Sequence, residues 1–275
     1  VYTRRIRGAK KQLQGATGAF ELEIKWLFAR YPPALLSSVA LSARAYLDPV
    51  GAIPKAVESR AWVVPLLWLM VTVAASGAAF ATRLDASSEV IPKMAEAGDL
   101  QKASEREVNE EVEQSERISL VAGVAKGVVG MPMIVLAIAI ALKLVSWLMG
   151  RKVLFSACFT TAALAMLPVA LFYLLNMVIA LRQDVVIPAQ ADKLMVTNAL
   201  GWLGAGEGGG PGKTRALAAL DFFNLWSAGL LGLGFAAAAK LKPWQGLVLG
   251  LFLYTLFAAA ILIGLPGLMG GGGPR

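Results

Sequence analysis

The sequence predicts an all-α, polytopic membrane protein: five transmembrane helices, amphipathic helices ahead of them, and one charged helix outside the bilayer. Three observations carry this. Apolar runs occupy residues 61–81, much of 121–149, 158–181, 216–239 (uncharged from Phe222) and 244–265. At about 1.5 Å per residue, roughly 20 residues cross a hydrocarbon core about 30 Å thick, and each run is near or above that length. The chain is 57% hydrophobic and only 16% charged, so five such runs do not fit the core of one soluble 275-residue domain. No run alternates polar and apolar residues, so the spans are helices rather than barrel strands.

Composition narrows the chemistry. There is no histidine, and Cys158 is the single cysteine, which removes most zinc sites, imidazole acid–base catalysis and Cys–His dyads. No intrachain disulfide can form. The expectation is a protein without cofactor or metal and without enzymatic activity. A net charge of +8 fits a nucleic-acid partner by its sign, yet the bases are arranged as membrane proteins arrange them. Residues 1–60 hold ten Lys or Arg against four acids, and the short turns after the second and fourth runs carry Arg151 with Lys152 and Lys240 with Lys242. Residues 83–117 hold ten acids against five bases. The positive-inside rule then predicts a cytoplasmic N-terminus, outer loops at 82–120 and 182–215, and an outer C-terminus, as in a bacterial inner membrane. The expected partners are the lipid bilayer and other membrane proteins, not nucleic acid. Residues 1–60 also lack the basic, apolar, small-residue order of a cleavable leader.

The elements follow in chain order. Within the basic and amphipathic segment 1–60, Phe20, Ile24, Leu27, Phe28 and Tyr31 share one helical face, broken by Pro32 and Pro33. With Arg4, Arg5, Lys10, Lys11 and Trp26, this face is expected to meet an anionic membrane surface or to pack on the bundle or a partner. A second stripe is read at Leu35 or Leu36, Val39, Ala43, Tyr46 and Leu47. Asp48–Pro49 is an N-cap and first-turn pair, followed by an apolar face of Val50, Ile53 and Val57, with a bend expected at Pro54. Trp62 and Trp68 mark the entry to the first span, Trp68 rather deep for an interfacial ring. Residues 99–117 predict a solvated helix continuing into the second span, with Arg106–Glu110 and Glu113–Arg117 at helical spacing. Residues 266–275 form a Gly-rich tail.

Two glycine motifs are decoys. Gly204, Gly206 and Gly209 match G-x-G-x-x-G, and Gly212-Lys213-Thr214 resembles the end of a phosphate loop, but neither follows a strand. The stretch reads as a linker. Inside the membrane, polar groups are the functional candidates: Lys126, Asn176, Asp221 and Asn224, either as interhelical hydrogen-bonding groups or along a solute path. Gly123 with Gly127, and Gly246 with Gly250, form G-x-x-x-G faces, and Ala74, Gly77 and Ala78 put small residues on the first span. Such faces permit close helix approach, within the bundle or between subunits.

The order of elements resembles the Ypt-interacting-protein (Yip) family of five-span membrane proteins, in its bacterial branch. The likeness rests on Tyr46-Leu47-Asp48-Pro49 with Val57, Trp62 and Pro65, and on Leu220-Asp221-Phe222-Phe223-Asn224-Leu225-Trp226 followed by Lys240. It covers roughly residues 46–265. The resemblance implies a non-enzymatic integral membrane protein. Eukaryotic members bind small GTPases of the Rab class, and some bacterial members accompany ABC-type export systems. Here a basic amphipathic segment stands where eukaryotic members carry an acidic, proline-bearing one, and the cysteine-rich zinc ribbon of many bacterial relatives is missing from this sequence. The expected function is that of an accessory or scaffold subunit of a membrane complex, with an ABC-type exporter as the class of complex the resemblance suggests. A small-solute transporter or channel is the alternative.

Overall fold

The structure, a computed structural model, describes residues 33–99, 101, 103–187, 197–202, 217 and 220–259. The helices are α1 (Pro33–Leu47), α2 (Pro49–Glu58), α3 (Val63–Ala81), α4 (Ser87–Ala97), α5 (Glu105–Ala125), α6 (Met131–Leu148), α7 (Phe155–Ala165), α8 (Leu167–Arg182), α9 (Phe222–Ala239) and α10 (Pro243–Phe257). A π turn, Lys126–Gly130, joins α5 to α6, and one helical turn forms at Ala199–Trp202. Among the described residues the only extended pairings are two isolated bridges, Leu84 with Val186 and Asn198 with Asp221.

Four helical stretches are long and apolar enough to cross a bilayer: Val63–Ala81, Glu105–Leu148, Phe155–Arg182 and Phe222–Ala239. The predicted fifth span begins as α10, and its last residues, 260–265, lie outside the described residues. The protein is therefore a multi-pass membrane protein. In the bundle α3 packs between α5 and α8, α7 between α6 and α9, and α9 pairs closely with α10. One core joins Leu69 and Val73 of α3 to Val135 and Ala139 of α6, Cys158 and Ala162 of α7, and Phe235 of α9. A second joins Ala52, Ile53 and Ala56 of α2 to Leu164, Leu167 and Leu230.

The two helices ahead of the first span are packed on the bundle. Asp48 caps α2, its Oδ1 accepting from the Gly51 N–H at 3.0 Å, with Pro49 opening the helix, as predicted. The helix runs on through Pro54 to Glu58 and lies against α7 and α9, with α1 laid over it. The apolar faces differ from the predicted ones. In α1 the buried residues are Ser38, Ser42 and Ala45, while Val39 and Leu47 are exposed, Leu47 at 91%. In α2 the buried set is Ala52, Ile53, Ala56 and Val57, and Val50 faces out. The reason is that lipid is as apolar as leucine: the bundle draws in small residues that allow close contact, and large apolar side chains serve equally well outside.

The spans hold three further departures. Pro132 has no N–H for the Val128 carbonyl and its ring crowds that turn; the helix widens there, Met131 N–H reaching back to the Lys126 carbonyl five residues earlier. The third span breaks at Met166, immediately before α8, where Pro168 fits the first helical turn. The first loop contains α4, closed by Gly98 in the left-handed region (φ 76°) and opened by Asp85, whose carboxylate accepts from the Ser87 N–H at 3.1 Å. By contrast, the charged helix is as predicted: α5, π turn and α6 form one 44-residue helical stretch, and both expected ion pairs are present, Arg106–Glu110 at 2.8 Å and Arg117–Glu113 at 2.5 Å.

Candidate functional site: glycine faces and polar groups of the bundle

The glycine faces close on one another within the chain. A Cβ placed on Gly77 of α3 would lie 2.6 Å from the Gly123 backbone, and one on Gly127 would lie 2.4 Å from the Ala74 nitrogen. The first and second spans thus touch backbone to backbone at the small-residue faces the sequence offers. At the other side of the bundle, a Cβ on Gly246 would come 2.2 Å from the Gly232 carbonyl oxygen, and one on Gly250 would come 2.2 Å from that of Ala228. Gly232 was not singled out from sequence, although its two-residue spacing from Gly234 on an apolar helix was visible. Gly234 meets the Thr161 side chain, where an added Cβ would lie 2.7 Å from the methyl group.

Asp221 is a helix cap. Its Oδ1 accepts from the Asn224 N–H at 3.0 Å, and its Oδ2 accepts from the Thr197 hydroxyl, while the Phe222 N–H bonds the Thr197 carbonyl at 3.0 Å. The carboxylate thereby starts α9 and ties it to the preceding loop, a role in which Asp is favoured at a helix N-terminus. Asn224 contributes its backbone to this cap and leaves its side chain exposed.

Lys126 stands in the π turn with its ammonium 5.1 Å from the centre of the Tyr173 ring. It is 22 residues from Leu148, roughly 33 Å along the helix, so it sits near the membrane boundary at the acidic end, where a cation–π contact and snorkelling both serve it. Asn176 lies one helical turn beyond Tyr173; its Oδ1 is buried and has no hydrogen-bond partner among the described residues. The structure therefore does not gather the four polar candidates: Lys126 and Asn176 flank Tyr173 on one side, and Asp221 and Asn224 form a cap on another.

Tyr46 is the functional group that sequence reasoning underrated. Its phenol donates to the Leu167 carbonyl at 2.8 Å, at the break in the third span. Its ring packs edge-on against Trp226 at 6.0 Å. Trp62 packs edge-on against Phe159 at 5.2 Å. The signal was present in Tyr46 two residues before the Asp48 cap, but nothing local shows that its partner lies 121 residues away.

Residues 43–264 match the family model of the Yip1 domain. The chain belongs to the Yip1 family. The Yip1 domain thus begins inside α1, just ahead of Tyr46, and takes in α2 and every span. Comparison with curated proteins and with solved structures gave no match. Among the described residues of the Yip1 domain, no three His, Cys, Asp or Glu side chains gather as metal ligands. Where the Yip1 domain extends from the bundle, α5 is started by a capping box: the Ser104 hydroxyl accepts from the Glu107 N–H, and the Glu107 carboxylate accepts from the Ser104 N–H at 2.7 Å. Those Ser104 bonds, first to its N–H and then to its hydroxyl, hold the Glu107 carboxyl below its ordinary value. Trp26, Arg4, Arg5, Lys10 and Lys11, the expected membrane-surface group, lie outside the described residues, as do the decoy glycine motifs.

Proposed function

We propose that this Yip1 protein is a non-catalytic accessory or scaffold subunit of a bacterial inner-membrane complex, with an ABC-type exporter as the favoured class of complex. The observation that carries this reading is the 44-residue helical stretch Glu105–Leu148, roughly 66 Å long against a hydrocarbon core of about 30 Å. Its first part buries no residue of its own chain. The basic turns favour a cytoplasmic N-terminus and put α5 on the outer side. A preformed, charged rod held at a fixed place over the membrane suits a partner protein. The glycine faces support a scaffold in another way, since they spend the close-approach surfaces on a rigid bundle. The test is purification at native expression in mild detergent, with Glu110, Glu111 and Glu113 changed to Lys in a second sample. A copurifying membrane protein lost on charge reversal is expected. Recovery of free monomer alone from the parent would refute the proposal.

The transporter reading keeps one observation, the buried and unpaired Asn176 amide oxygen. Flux by the parent protein in reconstituted vesicles, abolished by Asn176→Ala, would favour it; no flux in the parent removes it.

A further inference from the structure

One end of the bundle carries a groove with a distinctive lining. Between α2 and the last turns of α9, Val50 and Pro54 face Leu233 and Ala237, with Lys240 at the rim and Pro243 closing the end. Its walls are largely apolar and Val50 is 60% exposed, so the groove is open at its side. Lys240 is fixed at its mouth by the backbone. It ends α9 in the left-handed region (φ 54°), a position that usually takes Gly or Asn, and its N–H bonds back to the Ala237 carbonyl. Among the described residues its ammonium is in no ion pair. Glu58 also lines the groove, and Lys242 follows Lys240 in the short connection to Pro243, so two bases stand in that connection against this acid.

We propose that this groove is a binding site for an anionic phospholipid of the leaflet at the basic end. One acyl chain lies between Val50 and Pro54 on one wall and Leu233 and Ala237 on the other, and the phosphate meets Lys240 at headgroup height. Lys240 and Lys242 together outweigh Glu58 at the mouth, which favours a net-negative headgroup over a zwitterionic one. The apolar walls distinguish a lipid from free phosphate.

The experiment is thermal denaturation and native mass spectrometry of the full chain in mild detergent, titrated with dioleoyl phosphatidylglycerol, dioleoyl phosphatidylcholine or glycerol phosphate. Phosphatidylglycerol is expected to raise Tm by several degrees and to stay bound as a single adduct, with apparent affinity at least fivefold above phosphatidylcholine. Lys240→Asn removes the charge and keeps a residue suited to the left-handed backbone; it should weaken phosphatidylglycerol binding about five- to tenfold. Ala237→Phe fills the groove from its open side and should abolish the adduct. Lys152→Gln, a base of the same end outside the groove, should leave it unchanged. Equal binding of the two lipids, an equal effect of glycerol phosphate, or a loss with Lys152→Gln as large as with Lys240→Asn would overturn the assignment, as would retention of the adduct in both groove variants.

Discussion

A methyl group added at Gly232 tests how the last two spans are held. The Cβ would stand 2.2 Å from the Gly246 carbonyl oxygen and 2.7 Å from its carbon, both backbone atoms of α10. Reaching an ordinary contact of 3.4 Å requires about 1.2 Å of separation, and neither helix backbone yields as a side chain would. Overpacking of this kind costs typically 1–3 kcal/mol. For a chain of this size that lowers Tm by roughly 2–10 °C. Gly229 supplies the control on the same helix: its added Cβ would find only the Leu247 Cδ2, at 3.9 Å, and Ala is the better helix former by about 0.8–1.0 kcal/mol. Thermal unfolding in mild detergent should therefore show Gly232→Ala melting below the parent and Gly229→Ala at or above it. Adding Gly246→Ala to Gly232→Ala should cost less than the sum, because the helices have already been separated. Equal melting of the two single variants would refute the close-contact account.

Four further outcomes follow from the geometry. Glu107 has a depressed carboxyl in the folded helix, so the stabilisation it gives the first turn of α5 is complete above its ordinary value of 4.5 and is lost as pH falls through the lower folded value; amide exchange at residues 105–108 should quicken over that window, and Ser104→Ala should remove the pH dependence. Tyr46→Phe deletes the bond to the Leu167 carbonyl and keeps the ring against Trp226, and a loss of about 0.5–1.5 kcal/mol is expected in the same melting assay. Asp221→Ala should cost about 0.5–2 kcal/mol as a lost cap, with Asp221→Asn close to the parent because Asn caps as well as Asp; a large loss in both would show that the charge itself matters. Cys158 is fully buried, so a membrane-permeant maleimide should label it only after unfolding, and rapid labelling of the native protein would contradict the packing of α7.

Much of this architecture was legible in the sequence because it rests on local chemistry. Hydropathic length set the spans; Asp48–Pro49 is a cap built from neighbouring residues; Arg106–Glu110 and Glu113–Arg117 need only helical spacing. The site was legible in part. The glycine faces were visible as patterns, and their partners were not, since the match of Gly77 with Gly123 is decided by how whole helices cross. The inward face of α2 was legible at Ile53 and Val57 but not at Val50, and that of α1 was largely misread, for a physical reason: hydropathy reports what avoids water, and where lipid surrounds a helix both faces already do. The helix α4 was overlooked because Pro92 lies within it, although Asp85 and Gly98 bracketed it. The π turn and the break at Met166 sit beside Pro132 and Pro168, residues that announce an interruption without saying which form it takes.

The continuity of the longest helix has a mechanical meaning. From Gly123, where the backbone touches Gly77, to Glu105 is 18 residues, roughly 27 Å of rigid rod. The glycine contact is a fulcrum, and a tilt of about 10° there would sweep the outer tip through roughly 5 Å. The widened turn at Lys126–Gly130, just past this contact, is where the rod departs from regular α geometry between its outer arm and its membrane span.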